Sequence, residues 1–247
     1  MDRVVVVTGL GGMGLAVAQR LGVGGTMELA DISQVTLIAT ADTLRSDGYH
    51  VVEHVTDVSD EESVASLAEV AVGLGRVEAV VHTAGLSPVQ ASVEAILRVD
   101  LLGAALMLDA FATAVAPGGA GVFISSMAGT LALQDPDLEL RLTSVPTSEL
   151  LALPELSADV LVDPGVAYGL AKRANQLRVR SASLAWGHRQ ARVNSISPGV
   201  TSTPMGAAEL MGRAQSEGRL WDIDTGHDLM LTEPERTAEA LAQVATA

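Results

Sequence analysis

The sequence predicts an α/β fold built on a doubly wound parallel sheet, and three observations predict it. Short apolar runs bounded by glycine alternate with stretches of helical length along most of the chain. Runs that are apolar throughout suit strands covered by helices on both faces. Hydrophobic residues make up 48% of the chain but aromatics only 2%, so the core must be filled by Val, Leu, Ile and Ala, as in a parallel sheet. A length of 247 residues fits one large domain with a substantial core, and residues 1–247 are read as a single unit.

The elements follow in order. Arg3 to Thr8 reads as a buried strand, residues 9–14 as a turn, and Leu15 to Leu21 as the start of a helix. Thr26 to Asp31 and His50 to Thr56 are the second and third strands. Asp60 to Gly73 is a helix whose acidic first turn complements its macrodipole. Val77 to Thr83 is the fourth strand, and Ala91 to Val115 a long helix, apolar all round and therefore buried. Gly121 to Ser126 and Ala191 to Ile196 are the fifth and sixth strands, with a long helix from Val166 to Gly187 between them. Residues 127–165 and 206–232 break this rhythm with polar, turn-forming sequence, the signature of a functional lid or an interface segment.

Composition excludes several classes of function. The absence of cysteine rules out disulfides, thiolate catalysis and zinc–thiolate sites, and no metal site is expected. A formal net charge of −15 opposes binding to nucleic acid or to an anionic membrane. The apolar run after Met1 is too short for a signal peptide or a membrane span, so a cytoplasmic location is expected.

Gly9, Leu10, Gly11, Gly12, Met13 and Gly14 match G-x-G-x-x-G between a strand and a helix, the context in which this pattern cradles a pyrophosphate in a Rossmann-type fold. Asp31 ends the second strand, 17 residues after Gly14. A carboxylate there accepts hydrogen bonds from ribose hydroxyls and repels a 2′-phosphate, which favours NAD over NADP. Ligands of open α/β sheets bind outside the carboxyl ends of the strands, which places Asp57, Val58, Thr83, Ala84 and Gly85 for contact with adenine and ribose.

Tyr168 and Lys172 stand four residues apart on one helix face. An ammonium beside a phenol lowers its pKa from roughly 10 towards neutrality and fits it for acid–base work on an alcohol or carbonyl. The pair alone carries little weight; with the glycine turn and Asp31 upstream it reads as a reaction centre.

Taken together, these residues resemble the short-chain dehydrogenase/reductase family over residues 3 to about 205. The resemblance implies an oxidoreductase moving a hydride between NAD(H) and a hydrophobic secondary alcohol or ketone, such as a hydroxysteroid or 3-oxoacyl group. It implies Ser126, in Val122 to Ser126, as the residue positioning the substrate oxygen, Tyr168 as the acid or base, and Lys172 as its partner and a cofactor ligand. Pro198, Gly199, Val200 and Thr203 fall on the family's cofactor-binding stretch. Pocket walls are expected from Ser87 to Val89, the 127–165 insertion and the 205–230 segment that holds His227 and Asp228. A homodimer or homotetramer is expected.

Four features depart from the family pattern. The glycine turn is one residue shorter than T-G-x-x-x-G-x-G. Asp100 stands where the family has asparagine. Ser126 and Tyr168 are separated by 42 positions, so residues 127–165 are an insertion, resembling that of 3α-hydroxysteroid dehydrogenase-like members. No T-G…D-G-G ending is present, so a terminal seventh strand is expected to be missing. These departures sustain a second reading, an NAD-binding sensor or scaffold without turnover. A sugar-nucleotide epimerase fits less well, because the third glycine of its T-G-x-x-G-x-x-G would fall on Leu15.

Overall fold

The computed structural model describes residues 2–132, 135–157, 159–199, 201 and 203–208. The expected missing strand, His227, Asp228, Val200 and most of the 206–232 segment lie outside them.

Six parallel strands form one sheet among the described residues: β1 (Arg3–Thr8), β2 (Thr26–Asp31), β3 (His50–Val55), β4 (Arg76–His82), β5 (Ala120–Ile124) and β6 (Arg192–Ile196). Their spatial order is β3-β2-β1-β4-β5-β6, the doubly wound order whose switch point lies between β1 and β4. The predicted strands are all present, with boundaries shifted by at most two residues.

The pleat of β1 explains the two layers. Val5 and Val7 point to a core with Met27 and Leu29, covered by α1 (Gly12–Leu21) and α2 (Gln34–Ser46). Val4 and Val6 point to the opposite core with α3 (Glu61–Leu74), α5 (Ala104–Ala114) and α8 (Pro164–His188). Trp186 of α8 lies against the backbone of β5, where a Cβ on Gly121 would stand 2.6 Å from its ring. Its indole N–H donates to the Leu108 carbonyl of α5 at 3.2 Å. One large side chain thus sets the distance of α8 from the sheet.

Three expectations are corrected. The helix after the glycine turn begins at Gly12, not Leu15, because Gly12 to Gly14 form its first turn. Residues 34–46, where no element is expected, form α2, which Ser33 caps through its side chain. The predicted helix from Ala91 to Val115 is divided into α4 (Val93–Ile96), a π-helical segment (Leu97–Gly103) and α5. Such wide turns are frequent at functional sites.

Residues 127–165 are also more regular than predicted. They hold α6 (Met127–Leu131), α7 (Pro136–Ser144) and two short 3₁₀ turns at Thr147–Ala152 and Pro154–Leu156. Leu142, Leu150, Leu156 and Leu161 pack on Ile96, Leu97 and Leu101 and on Ala167, Ala171 and Ala174 of α8. The insertion therefore has its own small core, laid over the outside of α8 and the π-helical segment. No helix among the described residues is long and apolar enough to cross a membrane.

Candidate active site

The glycine turn runs closely over the end of β4. Gly9 has φ +80°, and a Cβ on it would stand 2.4 Å from the Ala84 nitrogen. A Cβ on Gly14 would stand 2.0 Å from the Gly9 carbonyl oxygen. Neither position tolerates a side chain. The Thr83 hydroxyl fastens the turn, donating to the Gly9 carbonyl at 2.6 Å. Gly11, at the N-cap of α1, has open space around it, no side chain caps the helix, and no acidic residue stands in its first turn. Unused N–H groups and an uncompensated helix dipole suit an anion. Gly12 is exposed and Met13 half-buried at this same end.

Asp31 carries one side of the turn. Its Oδ2 accepts from the Leu10 N–H at 2.8 Å and its Oδ1 from the Ser33 N–H at 2.8 Å. Each oxygen keeps a lone pair for a further donor. Asp57 is engaged locally, accepting from the Ser59 N–H and hydroxyl at 2.8 Å each. Val58 is buried against Gly103 of the π-helical segment. Ala84 and Gly85 are half-buried beside the turn.

The second part of the site lies between β5 and α8. Ser126 is the N-cap of α6, its hydroxyl accepting from the Ala128 N–H at 3.1 Å. A Cβ on Gly129 would lie 2.6 Å from the Lys172 carbonyl carbon, so α6 touches α8 backbone to backbone. Ser125 donates its hydroxyl to the Lys172 carbonyl at 2.7 Å. The Gln176 amide donates to the Ser126 carbonyl at 3.3 Å and to the Ser197 hydroxyl at 3.0 Å. The start of α6, the Tyr168–Lys172 turn and the loop after β6 are thereby held together. Pro198 belongs to the same junction, its carbonyl accepting from the Met127 N–H at 2.9 Å, and Gly199 follows it, exposed.

Tyr168 is half-buried, and the Lys172 Nζ stands 5.4 Å from its ring centroid. Lys172 is almost fully buried and makes an ion pair with Asp100 at 2.7 Å. Nζ also donates to the Ile124 carbonyl at 3.3 Å. Asp100 accepts from the Leu86 N–H at 3.0 Å, and the Asn175 amide donates to the Asp100 carbonyl at 2.9 Å. Burial pushes the Asp100 carboxyl above its ordinary value, and the Lys172 charge opposes that rise. Behind the pair, His82 shares a 2.7 Å hydrogen bond with Thr8. Burial, and then the charge of Lys172, hold its imidazole neutral with a pKa of about 3.

Thr203 belongs to a separate unit beginning at residue 200. Its hydroxyl accepts from the Gly206 N–H at 3.1 Å. Ser87 is buried and Val89 exposed, with the Val89 N–H donating to the Ser87 hydroxyl. Asp100, Ser125, Gly129, Asn175 and Gln176 are the residues that sequence reasoning left out of the site. A charged residue within an apolar helix was a usable signal for Asp100. The other four act through contacts that no local pattern announces.

Known proteins bear on this architecture. Residues 3–135 match the family model for short chain dehydrogenase, and residues 142–242 that for enoyl-(acyl carrier protein) reductase. A short-chain dehydrogenase/reductase of Alternaria brassicicola is 42% identical over 221 residues, covering 89% of this chain and 80% of that protein. The 3-alpha-hydroxysteroid dehydrogenase/carbonyl reductase of Comamonas testosteroni is 31% identical over 184 residues, 68% of this chain and 69% of that one. Among solved structures, a short-chain dehydrogenase/reductase from Burkholderia xenovorans aligns with TM-score 0.64 at 26% identity, over 88% of this chain and 81% of that one. Actinorhodin polyketide ketoreductase with NADPH aligns with TM-score 0.67 at 20% identity, over 98% and 89%. Strand order, glycine turn and sequence likeness agree: this chain belongs to the short-chain dehydrogenase/reductase family of oxidoreductases.

Proposed function

We propose that the protein is an NAD(H)-dependent oxidoreductase acting on hydrophobic secondary alcohols or ketones. The observation that carries this reading is the backbone contact of α6 with α8, which puts the cap residue Ser126 beside the turn bearing Tyr168 and Lys172. The glycine turn and the open end of α1 fit a dinucleotide pyrophosphate. The free lone pairs of Asp31 fit ribose hydroxyls, and its charge disfavours a 2′-phosphate. Gly9, Gly11, Gly12, Met13 and Gly14 would hold the phosphates. Asp57, Val58, Thr83, Ala84 and Gly85 would line the adenosine side, and Lys172, Pro198 and Gly199 the nicotinamide side. The bound cofactor accepts or supplies the hydride.

In alcohol oxidation the Ser126 hydroxyl positions the substrate oxygen and the Tyr168 phenolate takes the hydroxyl proton as the carbon–oxygen double bond forms. In ketone reduction Tyr168 returns that proton to the developing alkoxide. A hydrophobic alcohol or ketone is favoured by the relatives' names, one a hydroxysteroid dehydrogenase/carbonyl reductase and another a cis-4-hydroxycyclohexanecarboxylate dehydrogenase.

The test is a screen of secondary alcohols and ketones for NADH absorbance change, with Tyr168→Phe alongside. Tyr168→Phe should lower turnover about a thousandfold. Undiminished turnover in that variant refutes the mechanism, and NADH binding without any turnover favours the sensor reading. Tighter binding of NADPH than NADH would overturn the role given to Asp31.

A further inference from the structure

Away from the glycine turn and the Tyr168 site, three side chains from three elements line up on the α3 side of the sheet. Glu28 of β2 is fully buried, and its Oε1 lies 3.3 Å from Nδ1 of His54 on β3. The other ring nitrogen, Nε2, lies 3.4 Å from the hydroxyl of Ser66 on α3. His54 is half-buried and Ser66 exposed, so the row runs from the core out to solvent. Acid, imidazole and hydroxyl stand in the order that activates a serine, the acid on one ring nitrogen and the hydroxyl on the other. Packing gives no reason for the acid. Glu28 is in register with Val6 of β1 and Val52 of β3, where an apolar side chain would be buried without cost. Its Oε2 has no partner among the described residues.

We propose that Ser66 is a nucleophilic hydroxyl, activated through His54 by Glu28, which takes an acyl group from an activated ester. Ser66 Oγ attacks the acyl carbon while its proton passes to His54 Nε2. The bond from the acyl carbon to the leaving oxygen then breaks, and the leaving group takes that proton. The products are an ester on Ser66 and a free alcohol or phenol. Ser66 lies in the second turn of α3, where backbone N–H groups are spent within the helix. None is left there to hold an oxyanion, so the donor must carry a good leaving group and the ester on Ser66 persists.

The relay depends on the proton of Glu28. Burial raises this acid to about 8 and lowers His54. A protonated Glu28 donates to Nδ1, which leaves a hydrogen on Nε2 and no base for Ser66. An ionised Glu28 accepts from Nδ1–H and frees the Nε2 lone pair. Few charges face the row. Glu62 and Glu69 stand on α3 one turn to either side of Ser66, both exposed. Glu53 of β3 turns to the opposite face, to Arg45. Asp57, beyond β3, accepts from Ser59. Among the described residues no arginine or lysine pairs with Glu28 or His54.

The test is acetylation by p-nitrophenyl acetate, read from the masses of the protein's peptides. The chain has no cysteine and one lysine, the buried Lys172, so few other groups compete. Ser183, an exposed helical serine whose hydroxyl donates to the Arg180 carbonyl, is the internal reference. Ser66 should be acetylated about tenfold faster than Ser183 or more, and His54→Gln should bring it to the Ser183 rate. The Ser66 rate should rise about tenfold between about pH 7 and about pH 9 and then level as Glu28 becomes fully ionised, a step that Glu28→Gln should remove. Equal rates at Ser66 and Ser183, a Ser66 rate unchanged by His54→Gln, or a step that survives Glu28→Gln overturns the proposal. If the variants do not fold, the parent profile decides. Levelling above about pH 9 supports the relay, and a rise that continues to about pH 10 overturns it.

Discussion

Among the described residues two carboxylates are buried, one beside each half of the sheet, and their surroundings differ. Asp100, beside β4 and β5, has a lysine at 2.7 Å and a backbone N–H. Glu28, on β2, is fully buried and has only His54 at 3.3 Å, with its Oε2 unpartnered among the described residues. Burial raises the Glu28 pKa to about 8 and lowers that of His54, so near neutral pH this contact joins two uncharged groups. The comparison separates two ways of keeping an acid inside a protein. At Asp100 a lysine side chain and two fixed donors hold the group in one geometry. At Glu28 a proton removes the charge. The first arrangement stands beside the reacting groups, where geometry matters; the second lies under α3.

The largest break in this contrast is Asp100→Ala, which leaves Lys172 buried without its carboxylate. It should destabilise the fold by about 4 kcal/mol, measured by denaturant unfolding at neutral pH. Glu28→Gln should act the other way. The folded protein binds the Glu28 proton more tightly than the unfolded chain, whose pKa is near 4.5. The stabilising contribution is therefore complete below 4.5 and is lost as pH rises through about 8. Glu28→Gln should remove this pH dependence and raise stability by about 3 kcal/mol above that range, read from unfolding curves across pH. No gain at alkaline pH would mean that Glu28 is ionised without penalty. The smallest effect is expected at Ser66, whose hydroxyl lies 3.4 Å from His54 Nε2. Ser66→Ala should change stability by less than about 0.5 kcal/mol, since the partner is uncharged and the site is exposed.

The same two halves differ in how much the sequence discloses. The β1–α1 turn and Asp31 are legible because their work is local. Gly9 and Gly14 must be glycine for contacts within the turn itself and with the adjacent strand end, and the strand-end acid follows at a readable distance. The parallel, doubly wound character of the sheet follows from the alternation of strands and helices. The reaction centre is legible only as residue types. Tyr168 and Lys172 are visible as a spacing, yet what Lys172 touches is decided by Asp100, 72 positions earlier in the sequence. The π-helical segment escaped because apolar periodicity does not distinguish a wide turn from an ordinary one. The helix at Gln34–Ser46 escaped because it buries only Leu37, Thr40, Ala41 and Leu44 and leaves Val35 and Ile38 exposed, blurring its apolar stripe. The order within residues 127–165 escaped because its leucines pack on α8 and the π-helical segment rather than on one another's periodic neighbours.

The meeting of α6 with α8 at Gly129 has a consequence for how this chain can change. Ser126 and Tyr168 are set relative to each other by a backbone contact and by the Ser125 and Gln176 hydrogen bonds, not by the residues strung between them. That intervening chain is an excursion with both ends pinned. Lengthening such an excursion costs only about 0.6 kcal/mol per doubling. Residues can accumulate, fold into their own small core and be remodelled there while the reacting groups keep their places. New specificity can thus be acquired in this part of the molecule without the chemistry being rebuilt.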